Sequence, residues 1–332
     1  MPNKSLQKVA VDATFDLRWL DNFSDKFEVL EFSHSDAARM PKVAQPLRAI
    51  IGHSASAPDF DLYPSLEIFS NFGVGYESVD SAYAAKRGIV VTNTPGVLTE
   101  ETADTALGLL LNTLRELPRA EAYLRAGRWK KEGDYPLTQG TLRGRKAGIF
   151  GLGRIGKAIA RRLSAFGVPV SYCGRTRQAE LELPYFERLV DLASSVDILI
   201  ASAPGGASTR HAVNAEVLAA LGPNGVLINI GRGSVVDEAA LISALSRGAI
   251  MAAGLDVYEN EPQVGPKLLS LANTCLLPHV GSASVATRRS MAELAALNVV
   301  SWIEDGKALT PVAETAHLAE KSWDSGALVG KD

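Results

Sequence analysis

Short runs of β-branched and other apolar residues alternate along this chain with longer stretches whose apolar positions recur every three to four residues. The short runs suit buried strands and the longer ones suit helices with one apolar face. Their alternation predicts βαβ units around a parallel sheet. The pattern comes in two blocks. The first predicts strands over Lys8–Ala13, Phe27–Phe32, Ala49–His53, Leu66–Ser70 and Ile89–Thr92, with a helix over Asp80–Lys86. The second predicts strands over Ala147–Phe150, Val168–Cys173, Asp197–Ala201, Val226–Ile230, Met251–Asp256 and Thr274–Leu277. Helices over Ile155–Phe166, Tyr185–Ser194, Ala215–Leu221 and Asp237–Arg247 separate them. Six strands with intervening helices match a doubly wound dinucleotide-binding sheet.

Two long helical stretches frame the second block. Thr99–Arg115 opens with acidic residues, as a helix N-terminus favours, and Val285–Glu304 leads the chain back toward the first block. The expected fold class is therefore α/β with two doubly wound parallel-sheet domains. A Rossmann cofactor domain, residues 99–283, is inserted into a flavodoxin-like substrate domain made of residues 1–98 and 284–332, with the long helices as the hinge. Residues 116–145 lose periodicity among Pro118, Gly127, Gly133, Pro136, Gly140 and Gly144 and read as a connecting arm. The tail after Pro311 is small and polar and reads as loosely ordered.

Composition agrees with two domains and narrows the class. The 332 residues are 46% hydrophobic and 21% charged, with a net charge of −3, which excludes collagen, coiled coil and wholesale disorder. So nearly balanced a charge offers no reason to expect nucleic acid or an anionic membrane as partner. Cys173 and Cys275 lie far apart with no CxxC or Cys/His pattern, so neither a disulfide framework nor a metal site is expected, and a reducing cytoplasm fits best. Asp12, Asp16 and Arg18 interrupt the N-terminal segment before a signal-peptide core can form, and no apolar run reaches membrane-spanning length.

Gly151-Leu152-Gly153-Arg154-Ile155-Gly156 carries the sharpest chemical signal. It follows a predicted strand and opens a predicted helix, where glycines allow a tight turn and close approach of the backbone to a pyrophosphate. The helix N-terminus adds free N–H groups and the positive dipole end. A merely structural glycine turn is the weaker reading. An acidic residue at the end of the next strand would select NAD by binding the ribose 2′-hydroxyl. Here Gly174 takes that place, and Arg175 and Arg177 flank Thr176. A guanidinium can hold a 2′-phosphate through paired hydrogen bonds, so NADP is expected, against the alternative of a solvated basic loop.

Three further segments end successive predicted strands, where open α/β sheets place their ligands. They are NIGRGS at Asn229, DVYENEP at Asp256 and PHVGS at Pro278, and they contribute Arg232, Glu261 and His279. Singly, these are an ordinary loop cation, an exposed acid and a turn histidine. Together they suit reduction of a 2-oxo acid: Arg232 pairs with the substrate carboxylate and polarises its carbonyl, His279 donates the proton, and Glu261 favours the imidazolium. His34, His53, His211 and His317 have no comparable setting and read as structural or exposed.

The succession GLGRIG, NIGRG, GLDVYENEP and LLPHVGSAS resembles the D-isomer-specific 2-hydroxyacid dehydrogenases, and within them the NADPH-dependent glyoxylate/hydroxypyruvate reductases of the hydroxyphenylpyruvate reductase type. The likeness runs from NFGVGYESVD at Asn71 to the helix after His279. It implies the same roles for Arg232, Glu261 and His279, and assigns the substrate carboxylate to the backbone N–H groups of Val74 and Gly75, in a glycine turn able to present amides to an anion. It further implies Arg154 at the pyrophosphate, Arg175 and Thr176 at the 2′-phosphate, Thr209 near the cofactor phosphates, Asp256 near the nicotinamide amide, and Ile230 and Gly231 lining the nicotinamide pocket. In such relatives the arm wraps a second subunit, which implies a homodimer; ordinary loop packing explains Leu124, Trp129, Tyr135 and Leu137 almost as well. The expected activity is NADPH-dependent reduction of glyoxylate and hydroxypyruvate to D-2-hydroxy acids. Two rivals stand beside it: reduction of a bulkier 2-ketoaldonate or aryl pyruvate, and a redox-sensing corepressor-like binding protein.

Overall fold

The valine- and isoleucine-rich runs at the centre of each sheet become buried strands, as expected of parallel sheets covered on both faces. The computed structural model describes residues 6–11 and 16–321. Within them the chain forms two units, one from the described parts of Met1–Leu98 and Val285–Asp332, the other from Thr99–Ser284.

In the first unit, β1 (Gln7–Val11), β2 (Phe27–Glu31), β3 (Ala49–Gly52), β4 (Ile68–Asn71) and β5 (Val90–Thr92) pair in the order β2-β1-β3-β4-β5, all parallel. This is the flavodoxin-like order. The last two residues predicted for the first strand, 12 and 13, lie outside the described residues. The helix Val285–Asp305 packs on β4, where the Ser70 hydroxyl donates to the Ala295 carbonyl at 2.9 Å.

As far as Lys321, the segment after Pro311 departs from the loosely ordered tail expected of it; residues 322–332 lie outside the described residues. Pro311 bridges Thr92, Val312 N–H donates to the Val91 carbonyl at 2.9 Å, and Ala313–Leu318 forms a 3-10 helix that buries Thr315. The Thr315 hydroxyl accepts from Val91 N–H at 3.0 Å and donates to the Val91 carbonyl at 3.0 Å. The tail thereby occupies the hydrogen-bonding groups of an edge strand, a tertiary role that composition does not reveal.

Glu67 anchors this arrangement. It accepts from Arg48 at 2.6 and 3.0 Å, from Lys321 at 2.6 Å and from the Trp302 indole at 3.0 Å. Burial pushes its carboxyl upward, but the hydrogen bonds from Arg48, Lys321 and Trp302 outweigh that and bring the pKa from 4.5 down to about 2. A carboxyl depressed in the folded state stabilises the protein above its unfolded pKa and loses that contribution as pH falls through the folded one. The stability gap between wild type and Glu67→Gln is therefore expected to be constant above about pH 5.5 and to shrink between about pH 4.5 and 2, read by thermal unfolding across pH.

In the second unit, β6 (Ala147–Phe150), β7 (Val170–Cys173), β8 (Tyr185–Phe186), β9 (Ile198–Ala201), β10 (Val226–Asn229), β11 (Ala252–Leu255) and β12 (Thr274–Leu276) form one parallel sheet. Its order is β12-β11-β10-β9-β6-β7-β8, the Rossmann order extended by one strand. β8 corrects the helix expected over Tyr185–Ser194. Tyr185 and Phe186 pair with Tyr172 and Cys173, and the helix begins only at Leu189. Strand pairing overrides a helical spacing that two aromatic residues only imitate.

The helix Thr99–Arg115 packs on the helix Arg154–Ala165, and its acidic first turn has a second use there. Glu100 pairs with Arg161 at 2.6 Å and Arg162 at 2.9 Å, and Asp104 pairs with Arg162 at 2.6 Å. The arm also differs from expectation: Leu117–Arg125 and Arg128–Glu132 are helices. Gly127, at φ 67°, breaks the period between them, so two short helices out of phase read as no helix in the sequence. No helix among the described residues is long and apolar enough to cross a membrane.

Candidate active site

The loop after β6 is shaped by steric limits on its glycines. Gly151 adopts φ 95°, and a Cβ there would stand 2.6 Å from the backbone of Ala203. A Cβ on Gly156 would overlap the Gly151 carbonyl, which accepts the Ser202 hydroxyl at 2.7 Å. Gly153 caps the helix Arg154–Ala165 and has open space around its Cβ position. Arg154 is exposed and has no hydrogen-bond or ion-pair partner among the described residues. A turn this closely packed behind and open in front fits a pyrophosphate against the helix N-terminus.

Beyond β7, the Gln178 N–H donates to the Tyr172 hydroxyl at 2.7 Å, the Gln178 side chain donates to the Leu152 carbonyl at 2.8 Å, and Tyr185 donates to the Gly174 carbonyl at 3.2 Å. These bonds pin both ends of the basic loop. Arg175, Thr176 and Arg177 between them are exposed and engage no partner among the described residues. The donor set and the missing carboxylate fit a 2′-phosphate. Thr209 differs: its hydroxyl donates to the Pro204 carbonyl at 2.7 Å, which turns it inward to shape its own loop.

Arg232 follows β10 and is held by its neighbours. Asn229, buried, accepts from Gly231 N–H at 3.1 Å and donates to the Arg232 carbonyl at 3.0 Å. A Cβ on Gly231 would stand 2.6 Å from the Ala203 carbonyl, so the turn is wedged against the β9 loop that also backs Gly151. Asn229 thus positions the Arg232 turn, and its mark in the sequence is a polar residue at the end of an otherwise apolar strand.

His279 and Glu261 meet as expected, with Nδ1 and the carboxylate 2.7 Å apart. Glu261 is also held by the Tyr258 N–H at 2.8 Å. Burial pushes Glu261 upward, but the hydrogen bonds from His279 and Tyr258, together with the charges of His279 and Arg232, bring it below the usual carboxylate value. The pair therefore carries an anionic partner at neutral pH. His279 sits in the left-handed region at φ 52°, fixed by its own N–H donating to the Asp256 carbonyl at 2.9 Å. Asp256, buried, accepts from Val280 N–H at 2.7 Å and Gly281 N–H at 2.8 Å, and burial raises its carboxyl above the usual value despite these bonds. Both of its oxygens thus shape the turn that presents His279. Tyr258, whose phenol burial pushes up to about 12, donates to the Leu277 carbonyl at 2.8 Å. With Nδ1 engaged by Glu261, Nε2 of His279 has no hydrogen-bond partner among the described residues.

In the first unit, the turn after β4 has its carbonyls occupied. Asn71 donates to the carbonyls of Gly73 at 3.1 Å and Gly75 at 3.0 Å, and Asn93 donates to that of Val74 at 2.7 Å. The N–H groups of Val74 and Gly75 are left without a hydrogen bond among the described residues. Two successive unpaired amides have the chemistry to accept an anion. No cluster of His, Cys, Asp and Glu among the described residues is placed to hold a metal ion.

The family described as D-isomer specific 2-hydroxyacid dehydrogenase, NAD binding domain, matches residues 107–281. The chain belongs to this family. It is similar to the hydroxyphenylpyruvate reductase of Plectranthus scutellarioides, with 47% identity over 81% of this chain and 86% of that one. It is 44% identical to a glyoxylate/hydroxypyruvate reductase of Arabidopsis thaliana, over 89% of this chain and 95% of that one. Among solved structures, the NADPH-dependent glyoxylate/hydroxypyruvate reductase of Sinorhizobium meliloti, in complex with NADP and malonate, superposes with a TM-score of 0.91 at 55% identity. That match covers 94% of this chain and 98% of the other. Within the family, the absence of a carboxylate at Gly174 bears on which nicotinamide cofactor the enzyme takes.

Proposed function

We propose that the protein reduces small 2-oxo acids, glyoxylate and hydroxypyruvate foremost, to D-2-hydroxy acids with NADPH. The observation that carries this reading is the His279–Glu261 pair, with Nε2 unengaged, at the same carboxyl sheet edge as Arg232 and the glycine loop. Bound NADPH would supply a hydride. Gly151–Gly156 and Arg154 would hold its pyrophosphate, Arg175 and Thr176 its 2′-phosphate, and Ile230 and Gly231 would border the nicotinamide. In the first unit, the amides of Val74 and Gly75 offer donors suited to a carboxylate. In the second, Arg232 pairs with the substrate carboxylate and polarises its carbonyl. His279 gives the proton from Nε2 to the carbonyl oxygen and is reprotonated from solvent, while Glu261 holds the ring and balances its charge.

The test is a panel of 2-oxo acids assayed with NADPH and NADH side by side. Glyoxylate and hydroxypyruvate are expected to turn over fastest, with NADPH; no oxidation of NADPH by any 2-oxo acid overturns the proposal. Aryl pyruvates belong in the panel, because a relative at 47% identity is a hydroxyphenylpyruvate reductase. Arg175→Asp places a carboxylate against the 2′-phosphate and is expected to cut NADPH preference over NADH by about tenfold or more, the loss of one charge-assisted contact of ~1.5–3 kcal/mol. An unchanged cofactor ratio places the 2′-phosphate elsewhere.

The two cysteines, both buried and unpaired, suit a reducing cytoplasm. The arm exposes Leu124 at 55%, Trp129 at 58% and Leu137 at 95%, surface that a second copy of the chain would cover. Sedimentation velocity is expected to give a homodimer; a monomer at micromolar concentration refutes that assignment.

A further inference from the structure

His211 is the second histidine of this unit to face a carboxylate, although its sequence setting suggested no such role. Its Nε2 lies 2.6 Å from Glu259, which Arg210 approaches at 3.5 Å from the exposed side. His211 also stands at φ 51°, a conformation L-residues seldom hold unless their surroundings impose it. The imposing contacts all lead to the Arg232 turn. His211 N–H donates to the Ser234 carbonyl at 2.8 Å, Val213 N–H to Val235 at 3.0 Å, and Asp237 N–H to Val213 at 3.0 Å. Residues 211–213 thus lie along 234–237 as a short parallel bridge.

On its other side the same turn rests on the segment that bears Glu259. A Cβ on Gly233 would overlap the Tyr258 carbonyl and stand 2.5 Å from the Glu259 nitrogen. Gly233, next to Arg232, is therefore enclosed by 211–213 on one side and 258–259 on the other. The His211–Glu259 bond joins those two sides and closes the ring. Tyr258 in turn gives its N–H to Glu261, the partner of His279.

We propose that His211 and Glu259 are positioning residues that hold the Arg232 turn in register with the Glu261–His279 pair. Neither touches the reacting atoms. The link acts on catalysis because displacement of a reacting group by about 1 Å can cost on the order of 10² in rate. This role rests on the reductase reading above.

The test uses His211→Ala, Glu259→Ala, their double variant and His211→Gln, whose amide nitrogen reaches close to the Nε2 position and keeps a donor for Glu259. Steady-state kinetics with NADPH and hydroxypyruvate, and with 4-deuterated NADPH, is paired with amide hydrogen exchange on the cofactor-free protein. Expected are a kcat about ten- to a hundredfold lower for His211→Ala and Glu259→Ala, no further loss in the double variant, and a KM for NADPH within about twofold. The deuterium isotope effect on kcat rises, exchange quickens over residues 231–237 alone, and His211→Gln recovers most of the rate. An unchanged kcat, additive losses, or quickened exchange throughout the unit overturns the proposal. A wild type inert toward every 2-oxo acid instead overturns the reductase reading, and the catalytic role of the pair with it.

Discussion

His279→Gln is expected to leave the fold intact and to lower kcat for NADPH-dependent hydroxypyruvate reduction by about 10²- to 10⁴-fold, the range for loss of a positioned general acid. The fold survives because the turn is held by main-chain bonds to Asp256, not by the imidazole: Val280 and Gly281 N–H and the His279 N–H itself all engage that residue. The rate falls because glutamine cannot shuttle a proton, whatever hydrogen bond it makes to Glu261. KM for NADPH should stay near wild type. A rate within a few-fold of wild type removes His279 from the mechanism. Glu261→Gln gives a milder loss, since it removes the charge opposite the ring but keeps a side chain of the same shape beside it.

Arg232→Ala is expected to lower kcat/KM by about 10²- to 10³-fold, from truncating one side of a charge pair worth about 3–4 kcal/mol at 1.36 kcal/mol per tenfold. The loss should fall mainly on KM for the 2-oxo acid and on kcat, with NADPH binding unaffected. Arg232→Lys separates charge from geometry. An ammonium keeps the positive charge but not the planar fork that meets a carboxylate through two parallel bonds, so it should recover only part of the activity. Full activity in the lysine variant would show that charge alone suffices. Full activity in the alanine variant would move substrate binding away from this turn.

Much of the candidate site is legible in the sequence because its residues lie at strand ends, and strand ends in a parallel sheet are marked by local pattern. Gly151–Gly156, Arg232, Glu261 and His279 each close an apolar run, and the second sheet sets those runs side by side. The basic loop at Arg175 and Arg177 was legible for the same reason, as the sequel to β7. The Val74–Gly75 amides were reached through a family likeness, and their chemical sense appears only when Asn71 and Asn93 are seen to occupy the opposing carbonyls.

What the sequence by itself determined is the α/β alternation, the glycine loop, the absence of an acid at Gly174 and the three residue types that end successive strands. These are properties of neighbours along the chain, where glycine sterics, side-chain charge and hydrophobic period act over a few residues. Only the tertiary structure decided that Tyr185–Phe186 is a strand, that Pro311–Thr315 seals the edge at β5, that Asp256 spends both oxygens on the His279 turn, and that His211 closes a ring through Glu259. Each depends on a partner tens or hundreds of residues away. A hydrogen bond to such a partner outweighs local propensity while leaving no trace in local spacing.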